Sequence, residues 1–251
     1  MREKPPRAIC GGFFYNRRDI NSNTNPNKEH QLRMFRFLVA ALTVLCVAAA
    51  VQAAPVLGQD YTQLASPQPT EPGKKVEVIE FFAYYCPHCN ALEPSLEAWV
   101  AAHADKIVFK RVPTSYDGQP MAQQRLYYAL EMMGNVEQYH AKVFQAMHFN
   151  HVHVDTDDDA IDLAVKLGLD RAKFTSYYQS FAVQSKVQHA LLMTSNYEIS
   201  SWPTVILDGK YMTSPTQAGA RMGDDYKENV ANAMMLKVMD DLVDQLAKNR
   251  S

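Results

Sequence analysis

The sequence predicts an α/β domain interrupted by an all-helical insertion. Three observations carry that prediction. A β-branched and aromatic run, a helical run and a second strand-like run follow one another between Val76 and Val112. A hairpin signal and a long helical stripe close the chain between Val205 and Asn249. Some eighty residues between these two parts show helical periodicity only.

The chain has 251 residues, 47% hydrophobic and 21% charged, with a formal charge of −2. That composition excludes collagen-like, low-complexity and disordered classes. One long apolar run argues against a polytopic membrane protein. The lack of a basic excess argues against nucleic acid as a partner.

A segment of a different kind precedes the domain. Residues Phe37 to Val51 carry no charge, Arg33 and Arg36 stand just before them, and Val51-Gln52-Ala53 has a small-x-small pattern. This is the plan of a secretory signal peptide over residues 34–53, cut near Ala53 or Ala54. The apolar run is short of the ~20 residues of a membrane span. Retention as an anchor helix is the alternative, and Pro55 and Gly58 soon interrupt it. Cys46 follows Leu45, which is too bulky for lipoprotein processing. Residues 1–33 are polar and aperiodic, and read as a start-site artefact ahead of Met34 or as a disordered extension. Eight of the 25 Lys and Arg and three of the 27 Asp and Glu precede Ala54, so the 198 residues that follow carry −7. Of four cysteines, those residues keep only Cys86 and Cys89.

Val76-Glu77-Val78-Ile79-Glu80-Phe81-Phe82 reads as a buried strand. Leu92, Leu96, Trp99 and Val100 then recur at helical spacing. Cys86-Pro87-His88-Cys89 therefore sits where a strand gives way to a helix, with Cys86 at the helix start and Cys89 in its first turn. Unpaired N–H groups and positive partial charge at a helix N-terminus stabilise a thiolate. Such a site draws a thiol down from about 8.5. His88 adds a hydrogen bond or a positive charge, and Pro87 supplies a fixed φ where no N–H is needed. Stabilising the thiolate stabilises the reduced pair, which makes the disulfide an oxidant.

A staple, a metal site and a pair of core thiols each fit these cysteines less well. A bridge across two residues closes too short a loop to stabilise much. A structural zinc site needs about four ligands, and no second cysteine pair follows. Two inert core thiols would not need Pro-His between them. The pair reads as redox-active.

Residues Lys106 to Val112 form the next strand, which completes a βαβ unit with parallel strands. The insertion follows. Leu126/Ala129/Leu130/Met133 end at Gly134, and Val143/Ala146/Met147 mark the next helix. Ile161/Ala164/Val165 follow the capping residues Thr156-Asp157 and stop at Gly168. Phe174/Tyr177/Tyr178/Phe181 and Val187/Ala190/Leu191/Thr194 complete the set. Asp208-Gly209 between two short apolar runs predicts a hairpin. Met235, Met239, Leu242 and Leu246 predict a closing helix within Tyr226 to Asn249. His148, His151 and His153, with the acids from Asp155 to Asp159, match no defined metal spacing and read as a polar loop leading into a helix.

On Glu80-Phe81-Phe82, Cys86-Pro87-His88-Cys89, Pro94 and Trp202-Pro203-Thr204, the chain resembles the thioredoxin superfamily and, within it, the DsbA family of periplasmic thiol:disulfide oxidoreductases. The resemblance runs from about residue 57 to 250. It implies a thioredoxin fold with an inserted all-helical domain: first half 54–115, insertion 116–195, second half 196–251. It implies that Cys86 is the exposed nucleophile and Cys89 the buried resolving thiol. Glu80, six residues before Cys86, takes the place of a buried acid that moves a proton to or from Cys89. Strand alternation points it inward, an exposed edge position being the alternative, and Lys110 is its expected charge partner. Pro203 is expected in cis, so that residue 202 can pair with an extended substrate. Trp202 departs from the family's smaller residue there; a core indole with a trans proline is the other possibility.

The implied activity is oxidation of cysteine pairs in newly exported periplasmic proteins, with a DsbB-like membrane quinone reductase restoring the disulfide. The resemblance implies a monomer with no organic cofactor. Rival readings are a reductase or isomerase on the same scaffold, and a non-catalytic metal-binding or chaperone module.

Overall fold

Strand β2 (Val76–Phe82) is an interior strand of the sheet, and all seven of its residues are buried. A computed structural model describes residues 54–250. The expected signal peptide, the segment 1–33, Cys10 and Cys46 lie outside the described residues. Helix α1 (Pro87–Ala102) follows β2 and returns the chain to β3 (Ile107–Pro113). β3 pairs parallel with β2, from Val76 opposite Ile107 to Phe82 opposite Pro113. The predicted βαβ unit is therefore present.

On its other side β2 pairs antiparallel with β4 (Thr204–Leu207), and β4 with β5 (Tyr211–Thr213). A two-residue strand β1 (Thr62–Gln63) closes the order β1-β5-β4-β2-β3. The hairpin turns at Asp208 and Gly209, both at positive φ (54° and 61°), as a tight hairpin turn requires. A Cβ on Gly209 would stand 2.2 Å from the Gln68 carbonyl oxygen, so no other residue fits.

The pleat of β2 and β3 divides the interior in two. Val76, Val78 and Ile107 face α1 and the last long helix, where Leu92, Leu96, Met235, Met239 and Leu242 meet them. Ile79, Phe81 and Val112 face the insertion. The insertion comprises α2 (Ala122–Met132), α3 (Val136–His148), α4 (Asp157–Lys166), α5 (Arg171–Tyr178) and α6 (Phe181–Asn196). Gly134 and Gly168 stop α2 and α4 at positive φ. Thr156 caps α4 through the Asp159 N–H, and the Asp159 carboxylate accepts in return from the Thr156 N–H.

The structure departs from the predicted elements in two places. The stripe Phe174/Tyr177/Tyr178/Phe181 is not one helix. Ser180 caps a new helix by accepting from the Val183 N–H, and Phe181 at its first position is 83% exposed. The hairpin leads first into a short helix α7 (Pro215–Ala218) and a 3-10 turn (Ala220–Asp225), and only then into α8 (Glu228–Lys248). These segments and β1 are too short to show a period. Among the described residues no helix is long and apolar enough to cross a membrane.

Candidate active site

The end of β2 and the start of α1 assemble the site. Cys86 is the N-cap of α1, in extended conformation, and its Sγ accepts from the Cys89 N–H at 3.4 Å. Pro87 takes the first helical position, where a missing N–H costs nothing. The two thiols are unbonded, and both are buried: Cys86 is 5% exposed and Cys89 not at all. The expected exposure of Cys86 is thereby corrected, because the loop that carries Trp202 lies against its sulfur.

One helical turn separates their chemistry. A hydrogen bond from the Cys89 thiol lowers the Cys86 pKa to about 6, against the burial that opposes it. The N–H groups of Cys89 and His88 and the charge of His88 act in the same direction. For Cys89 the sign is reversed. Burial pushes it well above an ordinary thiol, and the neighbouring Cys86 adds to the rise.

His88, on the exposed side of the motif, pairs its Nδ1 with Glu228 Oε1 at 2.6 Å. That hydrogen bond raises the His88 pKa above its ordinary value.

On the other side stands the loop before β4. The Trp202–Pro203 bond is cis, as expected. The Trp202 carbonyl oxygen is 3.5 Å from Cys86 Sγ. The half-buried indole packs edge-on against Tyr85, with ring centroids 6.0 Å apart, and Tyr85 meets the exposed Tyr116 at 5.8 Å. Trp202 thus lies beside Cys86 at the edge of the core, against which its half-buried ring packs.

Beneath the cysteines lies a buried charge network. Glu80 is 1% exposed, so the inward reading holds. Its partner is Arg111 and not Lys110. Arg111 stands opposite Glu80 in the β2–β3 register, while Lys110 stands opposite Ile79 and points to the other face. Arg111 Nε donates to Glu80 Oε2 at 3.1 Å, and Nη2 donates to Glu93 Oε1 of α1 at 2.7 Å. Two carboxylates therefore share one guanidinium. Burial raises Glu80 to about 8, against the attraction of Arg111, and the charge of Glu93 adds to the rise. Glu93 itself is held below its ordinary range by its hydrogen-bond and charge partners, although burial opposes them. At neutral pH Glu80 carries the proton and Glu93 the charge.

The network continues into α3. Burial lowers the pKa of His140, which is neutral at neutral pH. Tyr84 Oη and His140 Nδ1 share a hydrogen bond of 2.8 Å. Nε2 of the same ring stands 3.3 Å from Glu93 Oε2. The same Tyr84 presents its carbonyl to His148 Nε2 at 2.8 Å. His148 thus braces the loop before Cys86, while His151 and His153 are exposed. Among the described residues no group of three or more His, Cys, Asp or Glu is placed to hold a metal ion.

The sequence reading missed Arg111, Glu93, His140, Tyr84 and Glu228. Two carried a signal. Glu93 is four residues from Cys89 on the buried helical stripe, and Arg111 shares its strand face with Ile107. Tyr84 stands two residues before Cys86; His140 and Glu228 reach Tyr84 and His88 across 56 and 140 residues of sequence, and no local pattern marks them.

Comparison with known proteins gives a consistent result. The DSBA-like thioredoxin domain family matches residues 110–234, and the thioredoxin family matches residues 68–126. A thiol:disulfide interchange protein DsbA from Burkholderia cepacia is 38% identical over 178 residues, which span 70% of this chain and 84% of that protein. A DsbA from Bordetella pertussis is 38% identical over 190 residues, spanning 76% of this chain and 86% of its own length. The crystal structure of Pseudomonas aeruginosa DsbA superposes with a TM-score of 0.67 at 29% identity, covering 76% of this chain and 94% of that one.

Proposed function

The chain belongs to the DsbA family of thiol:disulfide interchange proteins, and from that premise we propose that Cys86 and Cys89 oxidise paired cysteines in newly exported proteins of the periplasm. The observation that carries the reading is the opposite displacement of the two thiols, Cys86 down to about 6 and Cys89 well up.

The chemistry follows from that difference. A substrate thiolate attacks Cys86 Sγ of the disulfide. A bond forms between the two sulfurs, the Cys86–Cys89 bond breaks, and its electron pair leaves on Cys89. Cys89 holds negative charge poorly and takes a proton. Glu80 is the donor in this reading, since its buried carboxyl is protonated up to about pH 8 and its Oε1 has no hydrogen-bond partner. A second substrate thiolate then attacks the substrate sulfur of the mixed disulfide, and Cys86 leaves. A leaving thiol of low pKa leaves fast. Two electrons have passed from the substrate dithiol to the cysteine pair.

Sγ of Cys86 and the carbonyl of Trp202 are neighbours, so a substrate backbone beside residue 202 brings its cysteine to Cys86. Pro87 starts the helix that stabilises the thiolate, and His88 adds positive charge. In this reading the protein acts as a monomer, its redox group is the cysteine pair, and no organic cofactor takes part. A DsbB-like membrane quinone reductase restores the disulfide by accepting the two electrons.

The test is transfer to an unfolded, reduced protein with two cysteines. The oxidised protein should form one substrate disulfide per molecule. C86S and C89A should each abolish transfer, since neither can form the Cys86–Cys89 disulfide that accepts the two electrons. E80Q should slow turnover by roughly a hundredfold, the lower range for losing a positioned proton donor. Reshuffling of scrambled disulfides without net oxidation would favour the isomerase reading instead.

A further inference from the structure

We propose that Glu228 is a positioning residue of the active site, holding the His88 ring as an imidazolium beside Cys86 and so setting how strongly the Cys86 thiolate is stabilised. The inference rests on Cys86 being the reactive thiol.

His88 is the second residue of α1, and its side chain is 68% exposed. Two things work against a cation there. The positive end of a helix disfavours it, and an exposed side chain loses rotamer freedom when it is held in one place. A histidine in this position therefore needs a partner to stay charged and in place.

Glu228 is that partner. The carboxylate accepts only, so Nδ1 carries the hydrogen of the 2.6 Å bond. The contact is shorter than an ordinary N–H···O hydrogen bond. With Nδ1–H committed, Nε2 is the nitrogen that binds the second proton. Glu228 raises the readiness of the ring to take it.

Glu228 is placed by the fold. It is the first residue of α8, where that helix's own N-terminus favours a carboxylate. α8 is seated against α1 through Met235, Met239 and Leu242 on Leu92 and Leu96. The second half of the domain thus reaches back across 140 residues to the cysteine motif.

Two effects of Glu228 oppose one another. It keeps the cation that attracts the thiolate, and its own charge repels the thiolate. Glu228 meets the ring in a direct hydrogen bond, and the charge of His88 is among the influences that lower the Cys86 pKa. In this proposal the attraction outweighs the repulsion. The charged groups acting on the ring are Glu228 from α8 and Cys86 from the cap of its own helix.

The experiment compares wild type, E228Q, E228D, H88A and H88A/E228Q, each as the intact mature chain. Thiolate absorbance against pH gives the Cys86 titration, and equilibration with glutathione gives the oxidising strength. E228Q should move the Cys86 midpoint up and weaken the oxidant by roughly twofold to fivefold, the scale of an exposed charge pair. E228D should restore part of the loss. In the H88A background E228Q should no longer raise the midpoint and should lower it slightly, because only the repulsion by the Glu228 charge is left to remove. An unchanged or lowered midpoint in E228Q overturns the proposal, as does an equal effect with and without His88. A wild-type Cys86 that titrates as an ordinary thiol overturns the reading beneath it as well.

Discussion

Lys110 and Arg111 are adjacent cations on β3, and the pleat sends them to opposite faces of the sheet. Lys110 turns toward the insertion and bridges Glu77 and Glu71 at 2.8 and 2.9 Å, with its side chain 37% exposed. Arg111 turns toward α1 and bridges Glu80 and Glu93, with its side chain 8% exposed. Each cation holds two carboxylates. The first pairing opens to water at Lys110 and Glu71, although Glu77 itself is buried. The second has none to fall back on, so its proton count becomes a property of the protein. Charge type and sequence position are nearly the same, and burial alone makes one a brace and the other a proton store under the cysteines.

The largest test of that contrast removes the two cations separately. R111M leaves the buried Glu93 carboxylate without its counter-charge and the Glu80 carboxyl without its donor, and should cost about 3–5 kcal/mol. K110M takes the cation from the mostly buried Glu77 and should cost less than R111M, about 1–2 kcal/mol. Urea unfolding of the two variants measures both, and equal losses would erase the distinction.

A smaller effect follows from the Glu80 proton. Its folded pKa of about 8 lies above its ordinary value of 4.5. The folded state therefore binds the extra proton, and stability falls as pH rises through that window. Two other groups must be kept apart from it. Buried neutral His140 costs stability as pH falls below its ordinary 6.5. Reduced Cys86, lowered from 9.0 to about 6, adds stability as pH rises between those values. The clean experiment uses the oxidised protein between about pH 7 and about pH 9. The urea midpoint should decline across that range in wild type and much less in E80Q, where only the fall from the raised His88 remains. A flat wild-type profile would place the proton elsewhere.

The smallest expected effect lies far from both faces. T156A removes the cap of α4 and should cost about 1 kcal/mol, without changing the reaction of Cys86. A change in that reaction would mean that the insertion tunes the cysteines through its helix ends.

Much of this arrangement is legible in the sequence because it is local. The seven-residue strand, the cap position of Cys86, the Asp208-Gly209 turn and the stops at Gly134 and Gly168 each follow from a few adjacent residues. The family likeness gave the inward Glu80 and the cis bond before Pro203. What stayed hidden is register. Choosing between Lys110 and Arg111 requires knowing which residue of β3 stands opposite Glu80, and a shift of one residue inverts the answer. His140 and Glu228 were hidden for the same reason at longer range, since helix packing brings them to the site. Phe181 misled because an aromatic at the right spacing looks like a core residue even when Ser180 has started a new helix.

The central claim is that one helical turn separates a stabilised thiolate from a suppressed one. Thiolate absorbance of the reduced wild-type protein, followed against pH with C89A as the reference for Cys86 alone, tests it most directly. The wild-type protein should show a single ionisation near 6, with no second thiol titrating until well above 9. In C89A the Cys86 midpoint should rise, because the Cys89 thiol is the largest of the groups that lower it. Two overlapping ionisations near the ordinary thiol range would contradict the account.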